Sequence, residues 1–193
     1  MTSDYWDGEA ATFDDEPDHG LGDPATREAW RQLLAAHLPP APSDVVDLGC
    51  GTGTLSVLLA EAGHRVRGTD LSPAMVEHAR AKASAAGLEV SFEVGDAAFP
   101  SYDVGSVDVV LCRHVLWALP DPEAALARWV GLLRPGGRLV LVEGRWHTGA
   151  GLAAEDLEPL AATHLGDVRV VRLDDEVYWG GPITDERYLL LAR

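Results

Sequence analysis

Lysine occurs once in the 193 residues, at Lys82, and basic residues total 15 against 31 acidic ones, a formal net charge of −16. Affinity for nucleic acid rests on neutralising phosphates with lysine and arginine, so this balance argues against a DNA or RNA substrate and reads as a solubility device. Cysteine is almost absent: Cys50 and Cys112 are the only two, too few for a disulfide scaffold and expected to be free structural thiols. No apolar run approaches the roughly 18 residues of a membrane span, and the polar, acidic N-terminus lacks the apolar core of a secretory leader. A cytoplasmic protein with no membrane partner is expected. No His/Cys/Asp cluster has metal-ligand spacing, so no metal is expected either. What is present is 47% hydrophobic, ample for one domain with a buried core and no inserted second one. Nothing in the pattern decides between a monomer and a homodimer.

The apolar run Val45-Val46-Asp47-Leu48 ends in Gly49-Cys50-Gly51-Thr52-Gly53 and opens into an amphipathic stretch. That is a strand, a tight loop and a helix N-terminus, where glycine lets a ligand approach bare backbone. A second strand, Arg65 to Thr69, leads into Asp70, a carboxylate placed to grip the hydroxyls of a ribose. A dinucleotide fingerprint would need Gly-x-Gly-x-x-Gly. Here the glycines alternate, and Thr54 or Ser56 stands where the last one would be. Asp47, just before the loop, would repel a pyrophosphate but suits an ammonium group or its water. The pattern therefore points to a nucleoside cofactor and away from a nicotinamide dinucleotide.

The segment Asp47 to Gly53 resembles motif I of the class I S-adenosylmethionine (SAM)-dependent methyltransferases, and later segments continue the resemblance in order. Asp70 matches the family's ribose-binding acid and Leu71 the apolar residue beside the adenine. Gly95-Asp96-Ala97, after a strand over Glu89 to Val94, looks like the motif whose aspartate bonds the adenine amino group. Ser106 to Cys112 resembles the fourth strand, leading into Arg113-His114-Val115-Leu116-Trp117. Leu132 to Glu143 reads as a helix end, a Pro-Gly-Gly turn and a fifth strand. The resemblance covers roughly residues 1 to 145. It implies an α/β fold with a Rossmann-like, seven-stranded, mostly parallel sheet, helices on both faces and an antiparallel last strand. It also implies SAM as cofactor, S-adenosylhomocysteine (SAH) as product, and a cofactor site of Trp6, Phe13, Asp47, Gly49, Cys50, Gly51, Gly53, Asp70, Leu71, Asp96, Ala97, Cys112 and Arg113. The alternation of strand and helix patterns independently predicts a parallel sheet covered on both faces. Helical periodicity over Ala153 to His164 and strands over Val168 to Leu173 and Glu186 to Ala192 fit the closing hairpin.

Residues 1 to 43 are expected to form an N-terminal helical cap over a core at 44 to 193. Trp6-Asp7-Gly8-Glu9-Ala10-Ala11-Thr12-Phe13-Asp14 is similar to the segment that folds over SAM in many small-molecule members of the family. Asp23-Pro24 starts a second helix running to about His37, which Leu38-Pro39-Pro40-Ala41-Pro42 ends as a stiff linker. Beyond the strand ends, His19, His114, Trp117, Arg145, Trp146 and Trp179 are the candidate substrate pocket, suited to a flat or anionic small molecule. Trp129 reads as helix packing. His114 and His147 are the candidate general bases, since histidine titrates near neutrality. Cys112-Arg113-His114-Val115 stands where amino-directed nucleic-acid methyltransferases carry an Asn/Asp-Pro-Pro-Tyr type sequence, and neither cysteine follows a proline as in cytosine-C5 enzymes. The compact C-terminal half leaves a small-molecule acceptor as the expected substrate, with secondary metabolism favoured by analogy only. A SAM-binding protein without methyl transfer and, behind it, a nicotinamide-dependent oxidoreductase are the competing readings.

Overall fold

The computed structural model describes residues 2–193. The chain opens with α1 (Ser3–Glu9), a 3-10 turn (Phe13–Asp15), the one-turn α2 (Pro17–Gly20) and α3 (Pro24–His37). There follow β1 (Asp44–Leu48), α4 (Thr54–Glu61), β2 (Arg65–Asp70), α5 (Pro73–Ala85), β3 (Ser91–Val94), β4 (Val107–Arg113) and α6 (Pro122–Leu132). The chain closes with β5 (Leu133–Arg145), α7 (Ala154–Ala162), β6 (Val168–Arg172) and β7 (Glu186–Ala192). All seven strands lie in one sheet of order β3-β2-β1-β4-β5-β7-β6. The first five run parallel, and β7 is antiparallel to both neighbours. This is the Rossmann-like sheet with an antiparallel last strand that the resemblance implies.

Local chemistry explains where the helices begin. Three of them share one device: an oxygen-bearing cap followed by proline, whose missing N–H costs nothing at the first helical position. Asp23 accepts from the Thr26 N–H at 2.8 Å, Ser72 from Met75 at 3.1 Å and Asp121 from Ala124 at 2.9 Å. Strand alternation then sorts the core. Leu139 and Leu141 of β5 join Leu126, Trp129 and Leu157 on one face, while Val140 and Val142 join Trp30, Leu34 and Leu58 on the other. That is the period of two expected of a sheet buried on both sides. Trp129 is fully buried and donates to the Ala97 carbonyl at 2.7 Å, so it is a packing residue as expected.

The structure departs from the expected elements in a few places. The third strand starts at Ser91, because its pairing with β2 begins only at Arg67 opposite Ser91. The Pro-Gly-Gly turn lies inside β5: Val107 faces Leu133 and Val109 faces Arg138, so 134–137 bulge from the ladder. Arg134 in the bulge pairs with Asp44 at 2.7 Å and Asp108 at 2.9 Å. The helix expected to reach His164 ends at Ala162. The largest difference concerns residues 1 to 43. Trp30 is fully buried, so α3 is a core helix against the sheet. Only the stretch before it, broken by turns between Trp6 and Phe13, covers the cavity.

The strand order reverses between β1 and β4, so connections leave these two strands toward opposite sides and open a crevice at their carboxyl ends.

Candidate functional site

A cavity of about 440 Å³ fills that crevice. Its floor is the glycine loop after β1. Gly49 at φ +75° has no room for a methyl group, since a Cβ there would stand 2.3 Å from Val115 Cγ2. Gly51, at φ +55°, keeps the wall thin: a Cβ would lie 3.4 Å from the Phe13 ring on the opposite side. The loop is pinned to β2 by the Gly49 and Cys50 N–H groups, both donating to the Thr69 carbonyl at 2.7 and 3.0 Å.

Two carboxylates flank the loop. Asp47 is 2% exposed, accepts from the Ser56 hydroxyl at 2.6 Å, and burial pushes its carboxyl up to about 6. Asp70 accepts from the Gly51 N–H at 2.8 Å and the Ser72 N–H at 2.9 Å. Burial outweighs these bonds and raises Asp70 as well. Both carboxylates therefore sit in a low-dielectric wall that rewards a ligand bringing donors or positive charge.

The cap is fastened over this loop by charge. Asp7 of α1 accepts from the Ser72 hydroxyl and from the Ala74 N–H at 3.1 Å, capping α5. Asp14 accepts from the Thr52 hydroxyl at 2.6 Å and pairs with Lys82, the single lysine, at 2.8 Å. Trp6, Phe13 and His19 thereby line the cavity, with Phe13 stacked on His19 at 4.1 Å between ring centroids.

The far end is aromatic. His114, Trp117 and Trp146 face the cavity, with Trp146 5.2 Å from the His114 ring and 5.3 Å from that of Trp117. His114 is held at φ +59°, a left-handed conformation costly for a residue with a Cβ. Burial first, then the nearby charges of Arg113 and Arg187, depress its pKa well below the usual histidine value, and its buried Nδ1 has no partner. The ring is neutral at pH 7.

Most residues expected at the site line this one cavity: Trp6, Phe13, His19, Asp47, Gly49, Cys50, Gly51, Asp70, Leu71, Asp96, Ala97, Arg113, His114, Trp117 and Trp146. Five do not. Gly53 caps α4 at φ +76° and faces Ala79 and Phe92, which its missing Cβ would crowd at 2.8 and 3.0 Å. Cys112 is fully buried in the core, on the opposite phase of β4 from the cavity. Trp179 packs on Trp30 and donates to the Leu173 carbonyl at 2.7 Å, backing the wall without forming it. Arg145 is exposed at the very end of β5 and does not line the cavity. His147 is 79% exposed and lies 3.7 Å from Asp185, so the base role expected of it is withdrawn. Arg187, which sequence reasoning passed over, does line the cavity. Among the described residues no group of three or more His, Cys, Asp or Glu could hold a metal ion.

Comparison with known proteins follows the same lines. Residues 46–141 match the model of the Methyltransferase domain family. Over 111 residues the chain is 37% identical to ubiquinone biosynthesis O-methyltransferase from Xanthomonas axonopodis pv. citri, covering 57% of this chain and 46% of that protein. The chain thus spans about half the length of the curated relatives it matches. Among solved structures, the [4+2]-cyclase SpnF superposes with a TM-score of 0.74 at 18% identity, over 86% of this chain and 80% of that one. Geranyl diphosphate C-methyltransferase from Streptomyces coelicolor A3(2), solved with Mg2+, geranyl diphosphate and SAH, gives 0.73 at 20%, over 86% and 78%. Through the segment 46–141, with its glycine loop and flanking carboxylates, the chain belongs to the class I SAM-dependent methyltransferase family.

Proposed function

We propose that this chain binds SAM and transfers its methyl group to a small-molecule acceptor, in the cytoplasm and as a monomer or homodimer, without a nucleic-acid partner. The observation that carries the reading is the pair of carboxylates, buried Asp47 and half-buried Asp70, on either side of a loop whose backbone only glycine could bring so close. Asp70 is placed for the ribose hydroxyls, Asp47 for the ammonium group or its water, and Asp96 and Leu71 for the adenine. SAM when bound supplies a sulfonium-activated methyl group, so the protein's own task is alignment and exclusion of water. Positioning of that kind is worth on the order of 7 to 11 kcal/mol. The cap provides the exclusion: Trp6 and Phe13 close the cavity from above, held there by Asp7, Asp14 and Lys82. His114 is the one histidine that both lines the aromatic end and carries a buried, unpartnered ring nitrogen; it is unprotonated at pH 7, and because burial and the Arg113 and Arg187 charges weaken it as a base, it suits an already acidic acceptor proton.

The test is calorimetric titration with SAM, SAH and NAD, followed by a search for methyl transfer from labelled SAM. Micromolar binding of both sulfur ligands and none of NAD is the expected result. Absence of sulfur-ligand binding overturns the reading. Because the fold also serves a [4+2]-cyclase, transfer itself must be seen: binding without any methylated product favours a SAM-binding protein of another activity. With an acceptor in hand, His114→Asn, which tolerates the left-handed backbone, should lower turnover at least tenfold while SAH affinity holds. His147→Ala should leave both unchanged. Normal turnover in the His114 variant removes the proton-transfer role.

A further inference from the structure

Arg187 reaches the cavity from β7, where it pairs with Gly144 of β5 in the antiparallel register. Its side chain is only 14% exposed. The guanidinium lies between two indoles, 5.1 Å from the Trp146 ring centroid and 5.3 Å from that of Trp179. Asp185 stands 3.1 Å from Nη1 on one side, yet neither Nη1 nor Nε, both buried, finds a hydrogen-bond acceptor. A buried charged donor left without an acceptor is costly; here Nε has no partner and Nη1 has only the ion pair. Two glycines let the backbone close around this arrangement, a Cβ at Gly144 meeting the Glu186 carbonyl at 2.4 Å and one at Gly151 the Gly144 carbonyl at 2.0 Å. A Cβ at Gly144 would stand 3.0 Å from Arg187 Cδ and 3.3 Å from Nη1, and one at Gly151 would stand 2.4 Å from the Trp146 ring. The charge, the inclined indole rings and the glycine positions make up a built site at the aromatic end of the cavity.

We infer that Arg187 is the anchor of the acceptor, and that the acceptor is a planar aromatic carboxylate whose ring lies against Trp146 and Trp117 while its carboxylate meets the free guanidinium donors. A guanidinium presents a planar fork that matches a carboxylate, and indole faces favour a flat ring over an aliphatic chain. Asp185 pairs with Nη1 and steadies the fork, and Nε is left without any partner. The inference rests on the methyltransferase reading for the word acceptor, though not for the binding site itself.

The experiment uses the whole chain and two probes, benzoate and its neutral isostere benzamide, titrated by ligand-observed NMR with and without saturating SAH, after SAH affinity has been measured separately. Benzoate is expected to bind at least tenfold more tightly than benzamide. Arg187→Gln should remove that preference, Arg187→Lys should keep part of it, and the exposed Arg145→Gln should leave it intact. Melting curves and SAH affinity for each variant report folding. Equal binding of the two probes, no binding of either, or an undiminished preference in folded Arg187→Gln overturns the proposal. Loss of the fold in Arg187→Gln passes the decision to Arg187→Lys, in which an unchanged preference with unchanged affinity also overturns it. If SAH fails to bind while benzoate still binds through Arg187, the methyltransferase reading falls and the anion site stands.

Discussion

Replacing Asp70 with alanine is expected to weaken SAH binding at least a hundredfold. The carboxylate sits at the end of β2 with the crevice before it, and Asp47, across the loop, already takes the Ser56 hydroxyl. Charge-assisted hydrogen bonds contribute about 1.5–3 kcal/mol each. Losing two to ribose hydroxyls costs about 3 kcal/mol or more, and 1.4 kcal/mol is a factor of ten. A second effect has the same sign. Asp70 also accepts from the Gly51 and Ser72 N–H groups, so its removal leaves two loop donors without an acceptor and loosens the wall the ligand must meet. Asp70→Asn separates the two. The amide retains an oxygen for Gly51 but forfeits the charge, and an intermediate loss, nearer tenfold, is expected. Calorimetry on both variants decides: SAH affinity within tenfold of wild type in Asp70→Ala would show that the ribose is held elsewhere.

The mostly parallel sheet and the glycine-loop end of the cavity were legible because their signals are local. A glycine loop between an apolar strand and a helix, an acid at the next strand end and proline-capped helix starts each follow from a few adjacent residues. The acceptor end was read less well, for a physical reason. Arg145 and His147 stand at the end of β5 and just beyond it and so were natural candidates, but both are exposed there and outside the cavity lining. Arg187 belongs to a strand forty residues later, and only the antiparallel register opposite Gly144 brings it in. Trp6 and Phe13, expected as one cover, both line the cavity although the chain between them is not a continuous helix. They meet because Asp7 and Asp14 are anchored separately to α5 and the glycine loop. Glu143 gave no signal at all, since a single acid near the end of an apolar strand usually faces water.

Glu143 in fact lies fully buried, with Oε1 accepting the Leu116 N–H at 3.0 Å and Oε2 unpartnered. Burial pushes its carboxyl up to about 8 from an ordinary 4.5. The folded-state value is above the unfolded one, so the native state binds the extra proton, and stability is full below about pH 4.5 and lost as pH rises toward 8. Other groups overlap the lower part of that window. Asp47, raised to about 6, has the same sign, whereas His114, depressed by burial, gains stability as pH climbs through 6.5. His19, His37 and His64 are lowered by burial as well and share the sign of His114, so the Glu143 slope is read as the difference between wild type and Glu143→Gln, which keeps an acceptor for Leu116 and has nothing to ionise. At about 1.4 kcal/mol per pH unit, wild type should lose on the order of 2 kcal/mol relative to that variant between pH 6.5 and 8, read as the free energy of denaturant unfolding. A difference that does not change with pH would mean that the carboxyl ionises in place. The price of a buried acid directly under the loop that carries His114 and Trp117 would then be met by polar contacts to that loop's N–H groups.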